Sequence, residues 1–76
     1  MRVTRDGVEL IALLTDISRS GVLFEVEHAV TLGDILTIEL PKSRFAPAQK
    51  IPGRVMWVAP SETTEGWHQV GCRFGK

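Results

Sequence analysis

Apolar and polar residues alternate along most of this chain with a period of two, the spacing of a strand that buries one face. From Val8 to Asp16 the even positions Val8, Leu10, Ala12 and Leu14 are apolar, against Glu9 and Thr15 on the odd side. Val22, Phe24 and Val26 stand against Leu23, Glu25 and Glu27, and Leu36, Ile38 and Leu40 against Ile35, Thr37 and Glu39. Between Lys50 and Ala59 one face carries Ile51, Val55, Trp57 and Ala59, and the other Lys50, Arg54 and Met56. Trp67 to Phe74 alternates again, with Val70, Cys72 and Phe74 inward and Gln69 and Arg73 outward. The opening stretch Arg2 to Arg5 supplies a short sixth strand.

Turn chemistry separates these runs. Asp6-Gly7 is a hairpin signal, and Ser18 to Gly21, Gly33-Asp34 and Pro60 to Gly66 mark further reversals. Pro41 to Pro47 reads as the longest and most mobile connection, and Pro52 as an edge position or a bulge. No window carries the 3.6 period of a helix. Short, evenly spaced strands predict an all-β fold, a small six-stranded antiparallel β-barrel made of one domain, residues 1–76.

Composition narrows the partners. The chain has nine basic and nine acidic residues in 76, a formal net charge of zero. Non-specific binding to DNA or to a membrane surface needs a basic excess, so neither partner is expected. Cys72 is the single cysteine and there are two histidines, too few for a disulfide or a structural zinc site. No metal or other cofactor is expected. The start Met1-Arg2-Val3-Thr4-Arg5-Asp6-Gly7 does not read as a signal peptide, and the longest apolar run, Leu10 to Leu14, is far short of a membrane span. A cytoplasmic location is expected.

The sharpest local feature is Asp16-Ile17-Ser18-Arg19-Ser20-Gly21, of the form D-x-S-x-x-G. A carboxylate and a hydroxyl two residues apart on a strand project to one side, an acceptor beside a donor–acceptor group. The N1 and N2 donors of a guanine edge suit such a carboxylate, and Gly21 suits a backbone conformation closed to other residues. The alternative is purely local: Asp and Ser at a strand end bond their own backbone and shape the turn.

Four features in order resemble the PilZ family: Gly7 with its apolar strand, the Asp16–Gly21 hexapeptide, Gly53-Arg54-Val55-Met56-Trp57, and Val70-Gly71-Cys72-Arg73-Phe74. The resemblance implies a six-stranded antiparallel barrel and binding of the bacterial second messenger cyclic di-GMP, with Asp16, Ser18 and Gly21 as its contacts. Two departures stand out. Members that bind the dinucleotide carry an R-x-x-x-R motif ahead of the first strand, whereas Arg2-Val3-Thr4-Arg5 is spaced by two and reads as strand. Many members also pack a terminal helix on the barrel, and here Lys76 follows the last strand directly.

The remaining candidates read as structural. His68 alternates inward without an acidic partner at catalytic spacing, Cys72 packs among core positions, and Trp57 lies on the inward face. Trp67 falls outward, and Arg19 and Arg73 are surface arginines. No nucleophile–base pair or carboxylate dyad is visible, so a non-enzymatic binding module is expected. Two functions follow: a cyclic di-GMP module with weak or lost nucleotide binding, or a degenerate core acting in protein interaction or assembly. Ile11 and Leu13 on the odd face, with Leu23, Ile35 and Trp67, predict an exposed apolar patch and a homo-oligomer.

Overall fold

A computed structural model describes residues 1–44 and 46–75; Phe45 and Lys76 lie outside the described set. The strands are β1 (Arg2–Arg5), β2 (Val8–Leu10), β3 (Ala12–Ile17), β4 (Gly21–Val26), β5 (Ile35–Leu40), β6 (Gln49–Pro60) and β7 (His68–Phe74). All pairings are antiparallel, in the spatial order β2-β1-β5-β6-β7-β4-β3, and no helix occurs among the described residues. The all-β, barrel-like prediction holds.

The strand count differs from the expected six because Val8 to Asp16 is divided at Ile11. Its first part pairs with β1 (Val3↔Leu10) and its second with β4 (Ala12↔Val26). These two parts are the ends of the sheet. The sheet therefore curls until its outermost strands join through one residue, with Ile11 O accepting from Glu27 N–H at 3.2 Å.

The core lies inside the curl. Val3, Leu10, Val22, Phe24, Val26, Leu36, Ile38, Val55, Val70 and Cys72 are buried there, with Val30 added from the connection between β4 and β5. In β4, β5 and β7 the buried hydrophobic side chains are the ones that alternation assigned inward. In β3 they are not: Leu14 pairs with the buried Phe24 yet stays exposed, as does Val8 in β2. β2 and β3 each have a hydrogen-bonded neighbour on one side only, and nothing among the described residues covers these side chains.

Asp6-Gly7 forms the predicted hairpin, with φ of 52° and 80° at its two residues. Positive φ at both central positions is the type I′ requirement. Pro52 sits in an internal strand rather than on an edge, although its own position is locally terminal. The β6–β7 ladder begins only at Gly53↔Phe74, and the Pro52 carbonyl accepts from Gly75 N–H at 2.7 Å, beyond the end of β7. In an antiparallel strand N–H and C=O of a residue point the same way, so the missing donor falls where that ladder stops.

Candidate functional site

Two β-bulges set the site. The β3–β4 register shifts between Leu14 and Asp16, leaving Thr15 without a direct partner. Leu14 pairs with Phe24 on the inner face; simple alternation would also put Asp16 inside. The extra residue turns Asp16 outward, opposite Leu23. The β6–β7 register shifts in the same way between Val55 and Trp57, at Met56. Val55 stays in the core, while Trp57 turns outward opposite Gly71, and Val58 takes the inward place opposite Val70. Re-aiming a side chain is what a bulge does. The pairings Asp16↔Leu23, Leu23↔Gly71 and Trp57↔Gly71 thus form one row across the outer face.

Trp57 is therefore not the core residue that alternation predicted; it is 43% exposed. Its indole covers Gly71 closely enough that a Cβ there would stand 2.2 Å from Trp57 Nε1 and 2.5 Å from Cε2. A bare backbone under the ring holds it flat across β7. An aromatic laid over a cross-strand glycine is a known way to fill the gap that the glycine leaves.

This row borders an open groove of about 530 Å³, lined by Asp16, Ser18, Gly21, Leu23, Trp57 and Arg73, among others. All three residues singled out in the sequence meet there, but two of them for other reasons than expected. Ser18 lies beyond the end of β3, so strand alternation does not place it. The turn does: Ser18 N–H donates to Gly21 O at 2.9 Å, and Ser18 Oγ lies 3.5 Å from the same oxygen and 3.4 Å from Ser20 Oγ. Gly21 has no positive φ. Its requirement is close approach, since a Cβ would stand 2.2 Å from the Cys72 carbonyl oxygen. Asp16 Oδ1 accepts from Ile17 N–H at 2.9 Å and no other hydrogen bond or ion pair engages its carboxylate among the described residues.

Under the groove, burial pushes the Cys72 thiol up to about 12, so it packs as a neutral side chain. His68 lies away from the groove, between Val26 and Pro60 in the ladders, with Nδ1 buried and unpartnered among the described residues. No three His, Cys, Asp or Glu side chains among the described residues gather into a group able to hold a metal ion. No described helix is long and apolar enough to cross a membrane.

Arg2 and Arg5 are strand residues of β1 and their side chains are engaged elsewhere. Arg2 Nε meets Glu9 Oε1 at 2.5 Å and its Nη1 lies 3.8 Å from Glu39 Oε2. Arg5 Nη1 donates to Ala29 O at 3.0 Å and lies 3.4 Å from Asp34 Oδ2. None of these partners lines the groove.

Compared with known families, the chain matches the model of the PilZ domain over residues 1–76. It belongs to the PilZ family. PilZ domains are generally non-catalytic modules that bind cyclic di-GMP. The PilZ fold is a β-barrel, in keeping with the curled sheet described above. A comparison with curated proteins finds no match.

Trp57 and Gly71 are the groove residues that reading the sequence missed. A signal was present: Val55-Met56-Trp57-Val58 is apolar at four successive positions, so either face of that stretch suits the core and the phase is undetermined.

Proposed function

We propose that this PilZ domain is a non-enzymatic cytoplasmic module that takes cyclic di-GMP weakly, one guanine lying in the groove against Trp57. The observation that carries this reading is the outward row of Asp16, Leu23, Gly71 and Trp57, joined by Ser18 from the turn. A free carboxylate accepts from the guanine N1 and N2 donors, a hydroxyl serves as donor or acceptor, and an indole supplies a stacking face. Stacking of a base on an aromatic side chain contributes about 1–3 kcal/mol.

Impaired affinity follows from what Arg2 and Arg5 do. A dinucleotide carries phosphate charge, and each charge-assisted bond to it is worth about 1.5–3 kcal/mol. Both arginines are tied to partners on β2, β5 and the connection before β5. The dissociation constant for this chain is then no better than tens of micromolar. The test is calorimetry on the chain with an R-x-x-x-R segment added ahead of Met1. Affinity should rise about tenfold or more, equal to about 1.4 kcal/mol; no rise would reduce the hexapeptide to a turn.

A second reading, assembly with another copy of the chain, is favoured by β3 alone. It ends the sheet, and Leu13, Leu14 and Ile17 are exposed along it, with Ile11 beside them. An apolar, unpaired edge strand invites pairing. Ile35, expected in the same patch, lies instead on β5, separated from β3 by β6, β7 and β4.

A further inference from the structure

Arg54 and Arg73 are directly opposite each other in the β6–β7 ladder. Both are exposed, on the outer face, and neither side chain has a hydrogen bond or ion pair among the described residues. Their cross-strand neighbours do not supply a counter-charge either: Arg54 stands beside Ile35 and Arg73 beside Gly21. Like charges directly opposite destabilise a strand pair. With nine acidic residues in the chain, a carboxylate at either neighbouring position would relieve this, and none is there.

The pair belongs to the groove's rim. Arg73 and Met56 line both the groove and a neighbouring depression bounded by Arg54, Phe74 and Gly75. The arginine row lies two residues along β7 from the Gly71 row, roughly 7 Å at strand rise. A sugar bridges that span between a base over Trp57 and a phosphate over the arginines. Two guanidinium forks on one face present several N–H donors to a tetrahedral oxyanion, the arrangement that binds phosphate in bidentate fashion.

We infer that Arg54 and Arg73 form an anion site that receives a phosphate group of the ligand in the groove. The identity of the rest of the ligand rests on the guanine reading above; the anion site stands on the arginine pair itself. It gives the domain a phosphate contact at the turn's end of the groove, where Arg73 pairs with Gly21, built from strands rather than from a segment preceding β1.

The experiment is an NMR titration with inorganic pyrophosphate at constant ionic strength, following the arginine Nε–Hε resonances. Those of Arg54 and Arg73 should shift saturably, and Arg54→Gln or Arg73→Gln should each weaken binding about fivefold or more. Arg44→Gln, in the connection between β5 and β6, should leave it unchanged. Thermal stability of Arg54→Gln without ligand should match or exceed the parent, which shows that the variant folds. Shifts that track ionic strength alone, or binding within about twofold of the parent in both variants, would overturn the site. Cyclic di-GMP run in parallel separates the two ideas. Pyrophosphate binding without cyclic di-GMP binding sustains the anion site and refutes the guanine reading. Cyclic di-GMP binding lost in Asp16→Asn but kept in both arginine variants does the reverse.

Discussion

Replacing Gly21 with alanine should destabilise the domain through the β4–β7 ladder rather than through the turn. The added methyl would stand 2.2 Å from the Cys72 carbonyl oxygen, 3.2 Å from its carbonyl carbon and 3.3 Å from Arg73 Cα. All three are backbone atoms of a strand held on both sides, so no side-chain rotation relieves the contact. Gly21 and Arg73 must separate, at the end of the ladder where Phe74 N–H donates to Ser20 O at 2.8 Å. Overpacking costs about 1–3 kcal/mol and a weakened hydrogen bond adds about 0.5–1.5. The expected loss is about 2–4 kcal/mol, or roughly 8–32 °C in Tm for a domain of this size. Thermal and urea unfolding followed by tryptophan fluorescence would measure it. The contrasting substitution is Gly33→Ala, where φ is 88° and nothing lies within 4 Å of the new Cβ; only backbone strain of about 1 kcal/mol is expected. If Gly21→Ala were within about 0.5 kcal/mol of the parent, the close-approach account of this glycine would be wrong.

Trp57→Ala should cost about 1–3 kcal/mol of stability, less than a fully buried tryptophan because the ring is 43% exposed, and should remove measurable cyclic di-GMP binding by calorimetry. Retained affinity would show that the indole is only a lid on Gly71. For Cys72, the folded thiol is raised from 9.0 to about 12, so it favours folding while protonated in both states. That contribution is full below pH 9 and is lost as pH rises towards 12, at up to about 1.4 kcal/mol per unit. Comparing urea unfolding of the parent and Cys72→Ala at pH 8 and pH 10.5, the alanine variant should show the shallower decline; equal declines would refute the assignment. Leu13 is 60% exposed on β3, so Leu13→Lys should shift any self-association seen by sedimentation towards monomer, and a parent that is monomeric at about 100 µM would defeat the assembly reading.

Most of the fold was legible because most strands keep strict alternation. Val22, Phe24 and Val26, Leu36 and Ile38, and Val70 and Cys72 all face the core as their spacing predicts. Asp6-Gly7 marked its hairpin for a local reason, since two positive φ angles leave few residue choices. What the pattern did not carry were the single-residue irregularities. A bulge leaves no fixed signature in sequence, so Thr15 and Met56 passed as ordinary strand residues and Trp57 was placed on the wrong face. Asp16, Ser18 and Gly21 were found together, yet the physical causes differ: a bulge aims Asp16, a turn bond holds Ser18, and a neighbouring carbonyl excludes any side chain at Gly21. The division at Ile11 was also invisible, because both parts of that stretch are extended and apolar and only their partners differ.

The most direct test of the groove as the nucleotide site is a backbone NMR titration of the chain with cyclic di-GMP. Fast-exchange shifts are expected to be confined to Asp16 to Leu23, Arg54, Trp57, Gly71 and Arg73, saturating with a dissociation constant of tens to hundreds of micromolar, about 5–7 kcal/mol. Sub-micromolar binding would contradict the proposed impairment, and shifts elsewhere, or none at millimolar ligand, would contradict the site.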